Sequence, residues 1–259
     1  MRLTDIPSNT AIFPNARAIS YDGGKTAVLL LHGWTGWTGR LAYLAERLAG
    51  AGFTVRLPRL PGHGTNLQDF RASTWKDWLR RAMDEFLDLR DRSETVYVAG
   101  ASMGALLTIL IAAQFEVPRI VLMAPALQAR NRLVFLAPLI QHIVPRIASD
   151  WDADNDPDPE SSSIGAEYKS HTYTGTIAQL YRIQQRARRA LPALRSQTLA
   201  IVSEKDEAVP PSVAKYITDR VPDGLAKVLM LENSGHQMVQ GVDREAVCEA
   251  VLDWFSDRR

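Results

Sequence analysis

Thr95-Val96-Tyr97-Val98-Ala99-Gly100-Ala101-Ser102-Met103-Gly104-Ala105-Leu106-Leu107-Thr108-Ile109-Leu110 is the stretch on which the reading of this chain turns. It opens as a short apolar run with β-branched residues, passes through G-x-S-x-G, and continues with helical apolar spacing. Strand, turn and helix in that order force Ser102 onto a sharp bend, with glycines on both sides where strand and helix approach closely. The hydroxyl then stands above a sheet edge, and Ser102 becomes the candidate nucleophile. The plainer reading of the same residues is a glycine-rich turn with a capping serine.

Outward from this segment, apolar runs alternate with longer stretches of helical period. Strands are expected at Ala27 to Leu31, Phe53 to Leu57, Thr95 to Ala99, Arg119 to Met123, Thr198 to Val202 and Lys227 to Leu231. Helices are expected at Gly39 to Ala51, Trp75 to Arg92, Met103 to Gln114, Pro211 to Val221 and Arg244 to Ser256. This alternation predicts an α/β fold, a doubly wound, mostly parallel sheet covered by helices on both faces. Between Ala124 and Gln197 the alternation stops, leaving only helical segments around Arg132 to Ile147 and Thr176 to Leu191. Residues 1–125 and 196–259 therefore read as the core, and 126–195 as an inserted helical cap. The insertion follows a strand C-terminus, where ligand crevices of open α/β sheets form.

With 46% hydrophobic and 23% charged residues, the chain of 259 is globular in composition, and it has no apolar run long enough to span a bilayer. Met1 to Pro7 shows no secretory pattern, so a cytoplasmic location is expected, without stable membrane insertion. Thirty basic residues against 29 acidic ones give a net charge of +1, which argues against nucleic acid and for a small-molecule partner. The single Cys248 cannot form an internal disulfide, and its helical position reads as packing.

A serine hydroxyl needs a base within hydrogen-bond reach and a group that orients the base. His236, in Asn233-Ser234-Gly235-His236 after the last expected strand, falls at the same sheet edge as Ser102. His32 and His63 each precede an early glycine, while His142 and His171 fall in the insertion and read as structural. The orienting acid is expected in Ser203-Glu204-Lys205-Asp206-Glu207, and Asp206 is preferred, with Glu204 and Glu207 as competitors. The chain order nucleophile, acid, histidine suits an α/β sheet of this kind. Oxyanion donors are expected from the backbone N–H of Met103, at a helix N-terminus, and of Trp34, in His32-Gly33-Trp34-Thr35-Gly36.

With these residues in place the chain resembles the α/β-hydrolase superfamily, and within it the small bacterial carboxylesterases and monoacylglycerol lipases. The resemblance spans nearly the whole length. It rests on Leu31-His32-Gly33-Trp34-Thr35-Gly36, Pro61-Gly62-His63-Gly64-Thr65, Gly100 to Gly104, Ser203 to Pro211 and Asn233 to His236. It implies the triad Ser102, Asp206 and His236, the oxyanion donors Trp34 and Met103, and a small cap. Ala105 stands where many relatives have glycine, and the cap aromatics Trp151, Tyr168, Tyr173 and Tyr181 match no relative residue by residue.

Other patterns carry less. Asp152 to Pro157 starts like a calcium loop, but Pro157 stands where glycine is needed and Ser163 where an acid is needed. Arg182, Arg186, Arg188 and Arg189 spread over more than one helical face, and Trp75, Trp78, Leu79, Met83, Phe86 and Leu87 form a core-facing stripe. The apolar run Leu133 to Ile140 suits either an acyl chain or a helix face packed on the core. The expected activity is cleavage of short to medium acyl esters and monoacylglycerols through an acyl-enzyme, without metal or organic cofactor. Hydrolysis of a thioester, lactone or carbon–carbon bond, or silent ligand binding on the same fold, are the alternatives.

Overall fold

The computed structural model describes residues 7, 9–148, 168 and 171–256. Its strands are β1 (Ile19–Tyr21), β2 (Thr26–Leu31), β3 (Thr54–Leu57), β4 (Thr95–Ala101), β5 (Arg119–Met123), β6 (Arg146–Ala148), β7 (His171–Tyr173), β8 (Gln197–Ser203) and β9 (Ala226–Leu231). The α-helices are α1 (Ala42–Gly50), α2 (Leu67–Ala72), α3 (Trp75–Arg92), α4 (Met103–Gln114), α5 (Ala137–Ile140), α6 (Thr174–Ala190), α7 (Val213–Thr218) and α8 (Arg244–Ser256). Seven strands form one sheet in the order β1-β3-β2-β4-β5-β8-β9, parallel except for β1, which runs antiparallel to β3 at one edge.

The central strands are buried on both faces, as parallel strands between helices must be. Ala27, Leu29 and Leu31 of β2, Val96 and Val98 of β4, Ile120 and Leu122 of β5, and Ala200 and Val202 of β8 point to one side, toward α3, α4 and α7. Val28, Leu30, Ala99, Val121, Met123, Leu199 and Ile201 point to the other, toward α1 and α8. Period two along every strand thus supplies two cores. Each fully buried leucine contributes about 2 kcal/mol of transfer free energy. Cys248 is fully buried in the second core, where burial pushes its thiol up to about 11, so it packs and does not ionise.

Several sequence expectations shift. β1 and the antiparallel pair β6–β7 lie outside the expected strands, because three-residue strands leave almost no periodic signal, and the six-residue α2 is too short to show a helical repeat. The expected helix from Arg132 to Ile147 is instead a 3-10 turn at Arg132–Leu136, the single turn α5, and then β6, with Pro145 before the strand. Trp78 and Phe86 are fully buried in the stripe of α3, whereas Trp75 lies at its margin beneath the Arg186 guanidinium at 3.8 Å. Arg188 donates to the Leu127 carbonyl at 2.6 Å, so the arginines of α6 serve different contacts instead of forming one basic face. Asp150 to Ser163, with Trp151 and the Asp152 to Pro157 pattern, lie outside the described residues. No helix among the described residues is long and apolar enough to cross a membrane.

The turns after β2 and β3 are held by buried histidines. His32 Nδ1 bonds the Gly33 carbonyl at 3.1 Å and Nε2 accepts from Leu60 N–H at 3.1 Å, which fixes the neutral tautomer. His63 Nδ1 bonds the Pro61 carbonyl at 2.9 Å, and its ring lies against His32, Phe70 and Trp78. Burial drives His32 down to about 4 and His63 well below its ordinary value.

Two predictions follow from this packing. A Cβ on Gly104 would lie 1.9 Å from the Leu31 carbonyl oxygen, while one on Gly50 meets nothing within 4 Å. Gly104→Ala should destabilise by about 3 kcal/mol or more in urea unfolding, whereas Gly50→Ala should be neutral or stabilising by up to about 1 kcal/mol. The unfolded chain protonates its histidines near pH 6.5, but folded His32 does so only near pH 4. Stability is therefore lost as pH falls through that window, about 3 kcal/mol from His32 alone. Thermal melts from pH 7 to 4 should show the slope, and His32→Gln should flatten it even though its melting temperature is lower.

Candidate active site

Parallel register brings the C-terminal ends of the strands to one edge: Leu31 pairs with Gly100, Ala101 with Met123, Met123 with Ile201, and Ser203 with Leu231. The loops that follow β2, β4, β8 and β9 therefore meet there. Ser102 sits between β4 and α4 at φ 56°, ψ −111°, a conformation that L residues rarely adopt. Its N–H donates to the Met123 carbonyl at 2.8 Å, and its own carbonyl accepts from Ala105 and Ala126 at 3.2 and 3.3 Å. The bend needs glycines because a Cβ on Gly100 would lie 2.2 Å from the Gly104 backbone. Thr35 and Ala124 also have positive φ, and with Ser102 they line the same cavity. Backbone strain concentrates where function does.

Ser102, His236 and Asp206 form one hydrogen-bonded series. Ser102 Oγ lies 3.0 Å from His236 Nε2, and His236 Nδ1 lies 2.9 and 3.0 Å from the Asp206 carboxylate oxygens. An ionised carboxylate only accepts, so Nδ1 carries the proton and Nε2 is left to accept from the serine. Asp206 is almost fully buried, which pushes its pKa up, but the His236 hydrogen bond and charge and the Val209 and Ala208 N–H groups outweigh this and hold it below the ordinary value. Those two N–H groups donate to Asp206 Oδ1 at 2.8 Å each.

The competing acids take other places. Glu204 donates its N–H to the Leu231 carbonyl, and Glu207 Oε2 accepts the backbone N–H of His236 at 2.9 Å. Arg130, which the sequence gave no reason to single out, donates through Nε to the Asp206 carbonyl at 2.6 Å and joins its own N–H to the Ala208 carbonyl at 2.9 Å. Ser203 Oγ donates to the Ser234 carbonyl, tying the acid loop to the histidine loop. Gly33 brings the β2 loop against Ser102: a Cβ there would lie 3.1 Å from Ser102 Cβ. Met103 N–H is among the donors that a helix start leaves without intrahelical partners.

Beside Ser102 and His236 opens a cavity of about 450 Å³, walled by Trp34, Val134, Ile177, Leu180, Tyr181, Met238 and Val239. Gln184 is buried at its wall and donates to the Ala126 carbonyl at 2.6 Å. The run Leu133 to Ile140 matches neither expectation. Val134 alone of it faces the cavity, Ala137 is buried, and Leu133, Phe135 and Leu139 are 65%, 51% and 71% exposed. A 3-10 turn followed by one helical turn is too short to hide one continuous face. Tyr168 is buried, accepting from Thr65 N–H at 2.7 Å and donating to the Gly62 carbonyl at 3.2 Å, while the Tyr173 ring faces the Arg71 guanidinium. His142 is exposed. No cluster of potential metal ligands occurs among the described residues.

Residues 28–250 match the model of the alpha/beta hydrolase family. A thermostable monoacylglycerol lipase of Bacillus sp. (strain H-257) is 29% identical over 254 residues, covering 95% of this chain and 96% of its own. A carboxylesterase of Bacillus subtilis (strain 168) is 23% identical over 92% of this chain and 98% of its own. A solved structure from work on two metagenome-derived lipolytic enzymes, LipS and LipT, superposes with a TM-score of 0.85 at 27% identity, over 96% of this chain and 100% of that one. The strand–turn–helix at Ser102, the sheet order and the family match over residues 28–250 make this chain a member of the alpha/beta hydrolase family.

Proposed function

We propose that this protein hydrolyses carboxylic esters of short to medium acyl chains, monoacylglycerols among them, through an acyl-enzyme on Ser102. The observation that carries this reading is the hydrogen-bonded series Ser102, His236, Asp206 opening on an apolar cavity of about 450 Å³. The names of its relatives, a monoacylglycerol lipase and a carboxylesterase, point the same way.

Ser102 Oγ attacks the ester carbonyl as its proton passes to His236 Nε2. The carbonyl electrons move onto oxygen, and the backbone N–H groups of Trp34 and Met103 stabilise that oxyanion. Asp206, kept ionised by its hydrogen bonds, stabilises the imidazolium and fixes the tautomer. Collapse breaks the bond to the alkoxy oxygen, and the alcohol leaves with the proton from His236. Water, deprotonated by His236, then attacks the acyl-Ser102 ester, and the acid departs as the serine is restored. The segment 126–195 acts as the cap. Val134, Ile177, Leu180 and Tyr181 from it wall the cavity, which suits an acyl chain.

A p-nitrophenyl ester series of increasing chain length tests the reading. Turnover with a short- to medium-chain optimum is expected, abolished in Ser102→Ala and lowered about 10⁴-fold in kcat by Asp206→Asn. Turnover that survives Ser102→Ala would sink it. Near wild-type kcat in Asp206→Asn would move the acid role elsewhere in the loop.

A further inference from the structure

Asp206 holds the ring of His236, and the next residue holds its backbone. Glu207 Oε2 accepts the His236 N–H at 2.9 Å. The residue between them in contact is Gly235, where the three atoms nearest to an added Cβ, its chain neighbours aside, would all belong to the Glu207 carboxylate, Oε2 at 2.9 Å. Gly235 does not have a positive φ, so this glycine answers to space for the carboxylate and not to backbone strain. The platform beneath Glu207 is fixed. Asp206 Oδ1 accepts from Ala208 and Val209, and Arg130 holds the Asp206 carbonyl. The histidine loop is also tethered at Ser234, whose carbonyl accepts from Ser203 Oγ.

We propose that Glu207 is a positioning residue for the ester-hydrolysing reaction: its carboxylate, seated in the space left by Gly235, fixes the backbone of His236 so that Nε2 stays aligned on Ser102. The inference rests on the ester-hydrolase reading given above. A bond from an anionic acceptor to a backbone N–H is a strong one, and it acts at the residue whose ring must reach both Ser102 and Asp206. Misplacing a catalytic group by about 1 Å costs up to about 10²-fold in rate.

The test compares kcat, KM and the rate of fluorophosphonate labelling of Ser102 in the wild type, Glu207→Ala, Glu207→Gln, Gly235→Ala and the double variant Glu207→Ala/Gly235→Ala. Glu207→Ala is expected to lower kcat and labelling by about tenfold or more, with KM within about twofold. Glu207→Gln keeps an acceptor oxygen and should recover most of the loss. Gly235→Ala should reproduce the defect with Glu207 still present, since the atoms its Cβ meets first are those of that carboxylate. This also keeps the proposal testable if Glu207→Ala fails to fold. The double variant should be no slower than the slower single variant, because both changes break one contact. Losses that multiply, a change confined to KM, or wild-type kcat in Glu207→Ala would each overturn the positioning role. A wild type that neither hydrolyses esters nor labels would overturn the ester-hydrolase reading and this inference together, whereas an active wild type with unmoved variants would overturn the inference alone.

Discussion

Everything at this sheet edge is arranged around one strained peptide unit. Ser102 is held at φ 56°, ψ −111° by hydrogen bonds to β5 and to the first turn of α4, and the bend exists only because Gly100 and Gly104 carry no side chain. Such a conformation costs on the order of 1–3 kcal/mol and persists only where surrounding packing over-determines it. The cores on either face of the sheet supply that packing. The strain lifts the hydroxyl out of the backbone's own hydrogen-bonding reach and turns it toward His236.

The other groups arrive through register. Because β4 ends level with β5, and β8 and β9 end level with each other two residues further on, loops from distant parts of the sequence converge at one edge. The acid loop after β8 does the most joining. It holds the imidazole through Asp206 and the histidine backbone through Glu207, and is itself held by Arg130. Charge is handled by hydrogen bonding: Asp206 is buried yet ionised because His236, Val209 and Ala208 donate to its carboxylate, while His32 and His63 stay neutral because burial outweighs the one carbonyl bond that each Nδ1 makes.

Much of this was legible in the residues. The bounds expected for α3, α4, β5 and α8 match the structure, since long apolar periods and flanking turn residues mark them. Ser102, Asp206 and His236 were nameable because each follows a strand, and strand ends share an edge. What stayed hidden depends on contacts without a local pattern. Glu207 and Arg130 act through backbone partners remote in sequence, and a side chain that bonds a distant carbonyl leaves no periodic trace. The short strands β6 and β7 and the outward-facing Leu133, Phe135 and Leu139 defeated pattern reading for a related reason: few residues per element and no repeated face.

The long excursion between β5 and β8 leaves at Met123, the C-terminal end of β5, and re-enters at Gln197, the N-terminal end of the neighbouring parallel strand, so it must also cross back over the length of the sheet. Its two ends are thus held at a fixed separation by the sheet, since Met123 stands opposite Ile201 and not Gln197. Closing a loop whose ends are already fixed grows more costly only slowly with length, about 0.6 kcal/mol for each doubling. The scaffold can therefore accept excursions of very different size and composition at this point while Ser102, His236 and Asp206 keep their places. A change in the excursion therefore alters the cavity wall at Val134, Ile177, Leu180 and Tyr181 while the strand ends that carry Ser102 and Asp206 stay where the sheet holds them.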